Sequence, residues 1–294
     1  MEIQTTPIVP INDPLLAEKG VDLWLKREDL NHPLASGNKC RKLKYNLIEA
    51  KKQGHTKLLT FGGAYSNHIY AVAGVGKAEG FETIGIIRGE AHAELNPTLS
   101  FAESQGMQFH YMDRETYRKK DSSEVINLLK QLYGGFYLIP EGGTNSLALK
   151  GCAEMAAELT DTFDYLCCPV GTGGTLAGVI MGLDGKGEIL GFSSLKGNFL
   201  QQEVNDLLLA EGIAYQNWSI NTAYHFGGYA KVKPELLEFI RAFEQKHQIL
   251  LDPVYTAKML FGIYDLVEKG FFLQGSTVMA LHTGGLQGRA GFGL

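Results

Sequence analysis

The sequence predicts an α/β protein made of two three-layer lobes with mostly parallel sheets. Its 294 residues are many for one compact domain and few for three. Short runs rich in β-branched and aromatic residues alternate with segments of helical length and periodicity, and this alternation is typical of parallel strands covered by helices. Several of these runs end in glycine-rich turns, where boundaries between lobes often fall.

Two groups of strands indicate the domain organisation. We predict strands at 57–61, 83–87, 136–139, 165–170, 188–192 and 277–281, and helices at 39–52, 66–78, 124–132, 148–159 and 234–245. The first three strands indicate a smaller domain over residues 50–150, and the others a larger domain formed by residues 1–49 and 151–294. Ligands of such sheets bind at the carboxyl ends of the strands, so we expect the site in the cleft between the two domains.

Composition and charge exclude several classes of protein. Hydrophobic residues make up 45% of the chain and charged residues 20%, as in an ordinary globular enzyme. The net charge of -5 is spread along the chain, without the basic surface that nucleic-acid binding needs. No stretch approaches the roughly 18 apolar residues of a membrane span, and the first residues lack the pattern of a secretion signal. We therefore expect a cytoplasmic protein with no nucleic-acid or membrane partner.

The four cysteines predict neither a metal site nor a disulfide. Cys40, Cys152, Cys167 and Cys168 form no C-x-x-C pair and have no histidine at metal-ligand spacing. Cys167 and Cys168 are neighbours in an apolar run, where a strand would direct one side chain to each face of its sheet. We interpret the four as reduced residues that mainly pack the interior.

Residues 36–50, SGNKCRKLKYNLIEA, predict a helix with Lys39 in its first turn. Asn38 is a suitable N-cap, and the apolar stripe of the helix comprises Leu43, Leu47 and Ile48. The helix macrodipole penalises an ammonium at this end, and together with burial it lowers the pKa of the amine, which a lysine that forms a Schiff base requires. A solvent-exposed lysine is the alternative interpretation of this segment taken alone.

Two glycine-rich loops that follow predicted strands suit anions. In FGGAYSNH, residues 61–68, Ser66 and Asn67 can offer hydroxyl, amide and backbone N–H groups to a carboxylate at a helix start. In VGTGGTLAG, residues 170–178, backbone N–H groups and the hydroxyls of Thr172 and Thr175 suit a phosphate. Taken singly, these residues are also ordinary N-caps and turn residues, and His68 is also an ordinary hydrogen-bonded histidine.

The second loop favours a lone phosphate over a dinucleotide. Leu176 occupies the position of the third glycine of the dinucleotide-binding fingerprint, and Ser193 and Ser194 follow the next strand where a ribose-binding acid is expected. The Walker pattern is also missing. Three other segments carry polar residues in turns, at 142–146, 251–258 and 281–285, and the second of these predicts a turn before a helix that begins near Thr256.

Taken together and in this order, these segments resemble the D-cysteine desulfhydrase and 1-aminocyclopropane-1-carboxylate deaminase family of fold-type-II pyridoxal-phosphate enzymes, whose fold is tryptophan synthase β-like. The match extends from WLKREDLNHPLASGNKCRKL to LHTGGLQG and covers nearly the whole chain. Several motifs at consistent spacing are far more specific than one glycine loop. The resemblance implies a pyridoxal 5'-phosphate cofactor, a small amino-acid substrate and a homodimer.

The resemblance also implies which residues bind the cofactor. Lys39 would carry it as a Schiff base, and Lys42, one helical turn further on, would contact its phosphate. Asn67 would reach the phenolic oxygen, and Tyr255 would lie against the ring. The phosphate cradle would comprise Gly171, Thr172, Gly173, Gly174 and Thr175.

Catalysis and substrate binding are implied for an overlapping set. Ser66 would bind the substrate carboxylate and act in catalysis, together with Lys39 and the active-site tyrosines Tyr229 and Tyr255. The substrate contacts would come from Ser66, Asn67, His68 and Tyr229.

Thr256 favours one of the two activities of the family. The deaminases have glutamate at this position, where a carboxylate would keep the pyridine nitrogen protonated, whereas a hydroxyl need not. Without that charge the ring is a weaker electron sink, which suits loss of a thiolate better than opening of a cyclopropane. His68, where the deaminases tend to have glutamine, favours the same choice, and Thr283 would be a second hydroxyl near the nitrogen.

We therefore predict a D-cysteine desulfhydrase, in which the amine of Lys39 removes the α-proton, the β-thiolate leaves, and hydrolysis gives pyruvate and ammonia besides hydrogen sulfide. The alternatives are a 1-aminocyclopropane-1-carboxylate deaminase, a β-replacement or hydroxy-amino-acid dehydratase enzyme, and a non-catalytic protein that binds a small phosphorylated ligand. The chain departs from the family pattern at Thr144, Ala148 and Ala230, and we expect these changes to affect the pocket wall and not the cofactor.

Overall fold

A computed structural model describes residues 1–91, 93–159 and 162–294 and confirms an α/β fold with mostly parallel sheets. The strands are β1 Ile8–Ile11, β2 Asp22–Lys26, β3 Lys57–Gly62, β4 Glu82–Arg88, β5 Gln108–Met112, β6 Tyr137–Ile139, β7 Tyr165–Val170, β8 Glu188–Ser193, β9 Trp218–Asn221 and β10 Thr277–Leu281. The six-stranded sheet has the order β1-β2-β10-β7-β8-β9, in which only the β1 to β2 pairing is antiparallel. The four-stranded sheet, β5-β4-β3-β6, is parallel throughout.

Helices connect most of these strands. They are α1 Pro14–Lys19, α2 Asn38–Lys52, α3 Asn67–Ala78, α4 Pro97–Ser104, α5 Arg114–Arg118, α6 Ser123–Tyr133, α7 Ser146–Ala157, α8 Gly174–Leu183, α9 Leu200–Ala210, α10 Pro234–His247 and α11 Thr256–Glu268. Short 3₁₀ segments cover Glu28–Leu30, Glu141–Gly143 and Leu286–Phe292. Every predicted strand and helix is present, with its ends displaced by one or two residues at most.

Each sheet has helices on both faces, as the three-layer prediction requires. In β7, Cys167 packs in the cluster formed with α10 and α11, whereas Cys168 packs in the cluster formed with α7, α8 and α9. In β3, Leu58 packs with α2, α3 and α4, whereas Leu59 packs with α6. The predicted opposite facing of Cys167 and Cys168 is confirmed, and all four cysteines are buried free thiols.

The two sheets are formed by separate parts of the sequence. The strands of the four-stranded sheet lie between residues 57 and 139, and those of the six-stranded sheet lie before residue 27 and after residue 164. The limits of the two domains at residues 50 and 150 stay a prediction. Within the ranges described above, no helix has both the length and the apolar character needed to cross a bilayer.

Candidate active site

A cavity of about 280 Å³ opens where strands of both sheets end. Residues of its lining lie at or just after the carboxyl ends of β3, β4 and β6 on one side and of β7, β8 and β10 on the other. This is the place where we expected the site, and the assignment of the cavity as the active site stays a prediction. The predicted site residues that line the cavity are Lys39, Lys42, Ser66, Asn67, His68, Gly171, Thr172, Gly173, Thr175, Tyr229, Tyr255 and Thr283.

Local geometry explains how Lys39 reaches this cavity. Lys39 is the second residue of α2, so its predicted place in the first turn is confirmed. The prediction that Asn38 caps the helix is wrong. Gly37 occupies the cap position with a φ of +78°, and a Cβ built there would lie 1.8 Å from the carbonyl oxygen of Thr283. The Asn38 amide instead donates to the hydroxyl of Thr175 at 2.7 Å and thereby ties α2 to the glycine-rich loop.

The amine of Lys39 is prepared for reaction with a carbonyl group. Its Nζ makes no hydrogen bond to any residue that the structure describes. Burial and the nearby Lys42 ammonium lower the pKa of Lys39 to about 7. A lowered pKa increases the share of neutral, nucleophilic amine at neutral pH, whereas an exposed lysine with a pKa of about 10.4 would be almost fully protonated.

Lys42 lies at the bottom of an anion cradle. Its side chain is buried, and its Nζ donates to the carbonyl oxygen of Gly142 at 3.1 Å and to the hydroxyls of Thr144 and Thr172 at 3.1 and 3.4 Å. Across the described ranges, no carboxylate lies within 4.0 Å of this ammonium, and burial lowers its pKa. A buried cation without a counter-charge is costly, so the arrangement fits an anionic group supplied by a ligand.

The glycine-rich loop of residues 171–175 completes the cradle. Gly173 adopts a left-handed conformation with a φ of +77° directly before α8, whose first backbone N–H groups have no partner within the helix. Thr144 belongs to the same cradle, because its hydroxyl also shares a hydrogen bond with Thr172 at 2.7 Å. Thr144 thus contacts the cradle, and the expected effect of a change there on the pocket wall and not on the cofactor stays a prediction.

The loop after β3 offers a second place for an anion. Ser66 is the N-cap of α3, and its hydroxyl accepts hydrogen bonds from the backbone N–H groups of His68 and Ile69. The Asn67 side-chain oxygen accepts from Gln287 at 2.7 Å. His68 is buried with Nε2 2.8 Å from the Thr60 hydroxyl, and burial, Lys39 and Lys42 hold its pKa well below 6.5, so its ring is neutral.

Two tyrosines form an aromatic wall of the cavity. The rings of Tyr229 and Tyr255 meet edge to face, with their centroids 6.2 Å apart. Burial raises the pKa of both phenols above 10, so each keeps its proton near neutral pH and can donate a hydrogen bond. The next residue, Thr256, is fully buried and does not line the cavity; within the described part of the chain its hydroxyl has no hydrogen-bond partner. Its contact with the ring nitrogen stays a prediction.

The sequence analysis did not identify several residues of the lining. Arg88 ends β4, and Glu141 and Gly142 follow β6, so their positions at the carboxyl ends of strands were the available signal. Glu141 is the only carboxylate residue in this lining as far as the structure describes it. Its charge is already engaged, because it accepts from the Tyr117 hydroxyl at 2.9 Å and lies 3.4 Å from the Lys120 ammonium.

This fold and this cavity define an enzyme that uses a phosphorylated cofactor with a reactive carbonyl group: one amine is free to form a covalent bond, and a separate cradle can hold a phosphate. A family model described as pyridoxal-phosphate dependent enzyme matches residues 1–284, and the chain belongs to this family. The predicted fold class and cofactor are thereby confirmed, and the uncompensated ammonium of Lys42 shows that the residues present fit the phosphate.

Relatives with named activities align with most of the chain. It is 32% identical to a putative 1-aminocyclopropane-1-carboxylate deaminase of Thermotoga maritima, over 93% of this chain and 92% of the relative. It is 31% identical to a bifunctional D-cysteine desulfhydrase/1-aminocyclopropane-1-carboxylate deaminase, mitochondrial, of Arabidopsis thaliana, over 96% of this chain and 77% of the relative. The crystal structure of an ACC deaminase homologue has a TM-score of 0.85 at 28% identity and covers 99% of this chain and 94% of that chain.

Proposed function

We propose that this chain is a pyridoxal-phosphate-dependent enzyme that eliminates the β-substituent of a small amino acid, with D-cysteine as its main substrate. One water molecule would be consumed, and the products would be pyruvate, ammonia and hydrogen sulfide. The observation that carries the proposal is that one cavity is lined both by Lys39, whose pKa is lowered to about 7, and by the buried ammonium of Lys42, which has no carboxylate partner among the described residues. The names of the relatives from Arabidopsis thaliana and Thermotoga maritima support a small amino acid as the substrate class.

The cofactor would be held by residues that the cavity already brings together. Its phosphate would lie among Lys42, Thr144 and residues 171–175, while Lys39 would form the covalent bond and Asn67 and Tyr255 would contact the ring. When bound, pyridoxal phosphate supplies an electron sink for the electron pair that is released at the α-carbon of an amino acid.

The chain itself would bind the substrate and move its protons. The N-terminus of α3, with Ser66, would receive the substrate carboxylate, because its N–H groups and the helix dipole favour an anion. The amine of Lys39, with a pKa of about 7, can take the α-proton at neutral pH as the β-thiolate leaves. Tyr229 and Tyr255 would act as protonated donors on the aromatic wall, and neutral His68 would avoid a further positive charge.

The charges of the cavity favour D-cysteine over the cyclopropane substrate. Thr256 brings a hydroxyl to the position where the deaminases of the resembled family have a carboxylate. Glu141, the carboxylate of the described lining, is held by Tyr117 and Lys120. A ring nitrogen without a carboxylate partner is a weaker electron sink, which suits a thiolate leaving group.

A substrate panel tests the proposal. Purified holoenzyme is given D-cysteine, L-cysteine, D-serine or 1-aminocyclopropane-1-carboxylate, and the release of keto acid is followed with time. We expect D-cysteine to have the highest kcat/KM and to release hydrogen sulfide in equal amount. Turnover of the cyclopropane amino acid without turnover of D-cysteine would overturn the proposal in favour of a deaminase.

Product analysis separates the remaining alternatives. An enzyme of β-replacement releases a new amino acid when a nucleophile is added, and a dehydratase prefers the hydroxy amino acid. A non-catalytic protein would be colourless, and its Lys39 would resist trapping by borohydride. Membership of the family favours an enzyme over this last alternative.

We further propose that the enzyme is a cytoplasmic homodimer. The homodimer rests on the family resemblance of the sequence, and the cytoplasmic location is the one that we expect from the sequence itself. Size-exclusion chromatography with light scattering is expected to give twice the mass of one chain, and the mass of a single chain would contradict it.

Lys42→Met is expected to weaken cofactor binding without weakening the apoprotein. Loss of a charged hydrogen bond to the phosphate should raise the Kd for pyridoxal phosphate about 10- to 100-fold. The free energy of unfolding of the apoprotein should stay equal or increase, because the substitution removes a buried charge that has no partner. Titration by fluorescence and thermal unfolding measure the two effects. Lys44→Met should change neither, because Lys44 lies on the same helix as Lys42 but pairs with Glu154 of α7 near the surface.

The reactivity of Lys39 in the apoprotein should follow a low pKa. Only the neutral amine is nucleophilic, so acetylation of Lys39 should fall about tenfold per pH unit below pH 7 and level off above it. Exposed lysines should keep gaining reactivity up to about pH 10. Mass spectrometry of peptides after pulses of labelled reagent measures both profiles. A midpoint for Lys39 near that of the exposed lysines would contradict the assigned environment.

A further inference from the structure

The loop that carries Tyr229 has an unusual backbone. We use the name Tyr229 loop for residues 222–230, between β9 and α10. Four residues in it have positive φ values: Phe226 at +54°, Gly227 at +100°, Gly228 at +119° and Ala230 at +52°. A residue with a side chain loses about 1–2 kcal/mol in this region, so contacts from outside the loop must hold the shape.

Lys258 supplies those contacts. It lies on α11, and its side chain is only 1% exposed. Its Nζ donates to the carbonyl oxygens of His225 and Gly228, both at 2.9 Å. The same two carbonyls also accept the turn hydrogen bonds of the loop, from the N–H groups of Gly228 and Lys231 at 3.0 and 3.1 Å. Lys258 therefore holds the loop by hydrogen bonds to the first and last residues of the turn formed by residues 225–228.

A lysine at this position is not explained by the stability of the core. The adjacent residues Ala257, Met259 and Leu260 are buried in an apolar cluster. Over the ranges that the structure describes, no carboxylate lies within 4.0 Å of the Lys258 ammonium, and burial lowers its pKa to about 8. Apolar residues of similar volume usually match or exceed a buried charge in stability, so a specific task accounts better for the lysine.

The first turn of α11 connects the hydrogen bonds of Lys258 to the active site. Tyr255, which immediately precedes the helix, lines the cavity, and Lys258 follows one turn later and does not line it. Tyr229 lines the cavity from the Tyr229 loop, remains 37% exposed, and packs its ring against Tyr255. The start of α11 thus fixes Tyr255 directly and fixes the loop of Tyr229 through Lys258.

We propose that Lys258 is a positioning residue that holds Tyr229 against Tyr255 and thereby limits the size of the amino acid that the cavity accepts. The choice of an amino-acid substrate rests on the proposed function. The role of Lys258 in holding the Tyr229 loop rests only on its two hydrogen bonds and on the backbone conformation of the loop.

A double-mutant cycle tests the route of the effect in the holoenzyme. Lys258→Met should lower kcat/KM for D-cysteine about tenfold, mainly through KM, and should lower it less for cysteines with a bulky S-substituent. In a Tyr229→Ala background the same substitution should have little further effect, because the side chain that it positions is gone. Equal losses in both backgrounds would show that Lys258 acts independently of Tyr229 and would overturn the proposal.

Hydrogen exchange of the apoprotein gives a second readout that needs no substrate. In Lys258→Met, amides of residues 222–231 should exchange faster, while those of α11 should keep their protection. Lys77→Met is the control, because Lys77 also donates to the backbone, although to one carbonyl only, that of Ser104, and at the surface of α3. It should change neither the kinetics nor the exchange of the Tyr229 loop.

The two proposals fail in different ways. Unchanged exchange in the Tyr229 loop overturns the role of Lys258 even when D-cysteine is turned over. Absence of D-cysteine turnover in the unsubstituted enzyme overturns the proposed function, and the exchange result then still decides whether Lys258 holds the loop.

Discussion

Lys39→Ala is expected to lower kcat by about 10³-fold or more, because it removes both the site of covalent attachment and the base that takes the α-proton. The substituted protein should still bind pyridoxal phosphate through the Lys42 cradle, but treatment with borohydride should no longer fix the cofactor to the chain. Steady-state rates and mass spectrometry of the reduced protein measure the two effects.

Lys44→Ala is the matched control for this change. Lys44 lies on the same helix, but its ammonium pairs with Glu154 at the surface. The control should keep both activity and covalent attachment. Attachment of the cofactor to another lysine in wild-type protein would overturn the assignment of Lys39.

Arg41→Met is expected to destabilise the fold by about 3–5 kcal/mol, since it breaks a buried ion pair from one side. Arg41 donates two hydrogen bonds to Glu28, at 2.9 and 3.0 Å, and a third to Glu158 at 2.5 Å. Glu28 is fully buried, so its carboxylate would lose its main counter-charge. Urea unfolding of the apoprotein measures the change in the free energy of unfolding.

The control for Arg41 lies near the other end of the same helix. Lys51 pairs with Glu79 across an exposed surface, and Lys51→Met should cost at most about 1 kcal/mol. A similar small loss for Arg41→Met would mean that Glu28 keeps a stable environment without it.

The signals that were predicted correctly are local in sequence. Lys39 in a first helical turn, the Ser66 N-cap and the loop of residues 171–175 each follow from a few neighbouring residues and a period of apolar positions. Strands β3, β7 and β8 are continuous apolar runs because both faces of their sheets are covered.

The features that were missed depend on distant partners. Strand β2 ends in Lys26, which is fully buried because it pairs with Glu158, 132 residues away. Asn38 has the composition of a cap, but Thr175, 137 residues away, takes its amide. Strands β1, β5 and β9 lie at sheet edges, where partial exposure interrupts the apolar pattern.

Helical periodicity also predicted one exposed residue of α2 to be part of the apolar face. Ile48 continues the predicted apolar stripe of Leu43 and Leu47, which are buried, yet its side chain is 53% exposed. A period of 3.6 residues defines a face of the helix but not the width of the surface that another element covers. That width follows only from the packing of the folded chain.

The Lys42 cradle is shared between the two halves of the molecule. Gly142 and Thr144 reach it from the end of β6, and Thr172 reaches it from the end of β7 in the other sheet. A dianion bound there would contact residues that follow strands of both sheets and would hold the two halves together. Small-angle scattering should therefore give a smaller radius of gyration, and proteases a slower cleavage, for the cofactor-loaded protein than for the empty one.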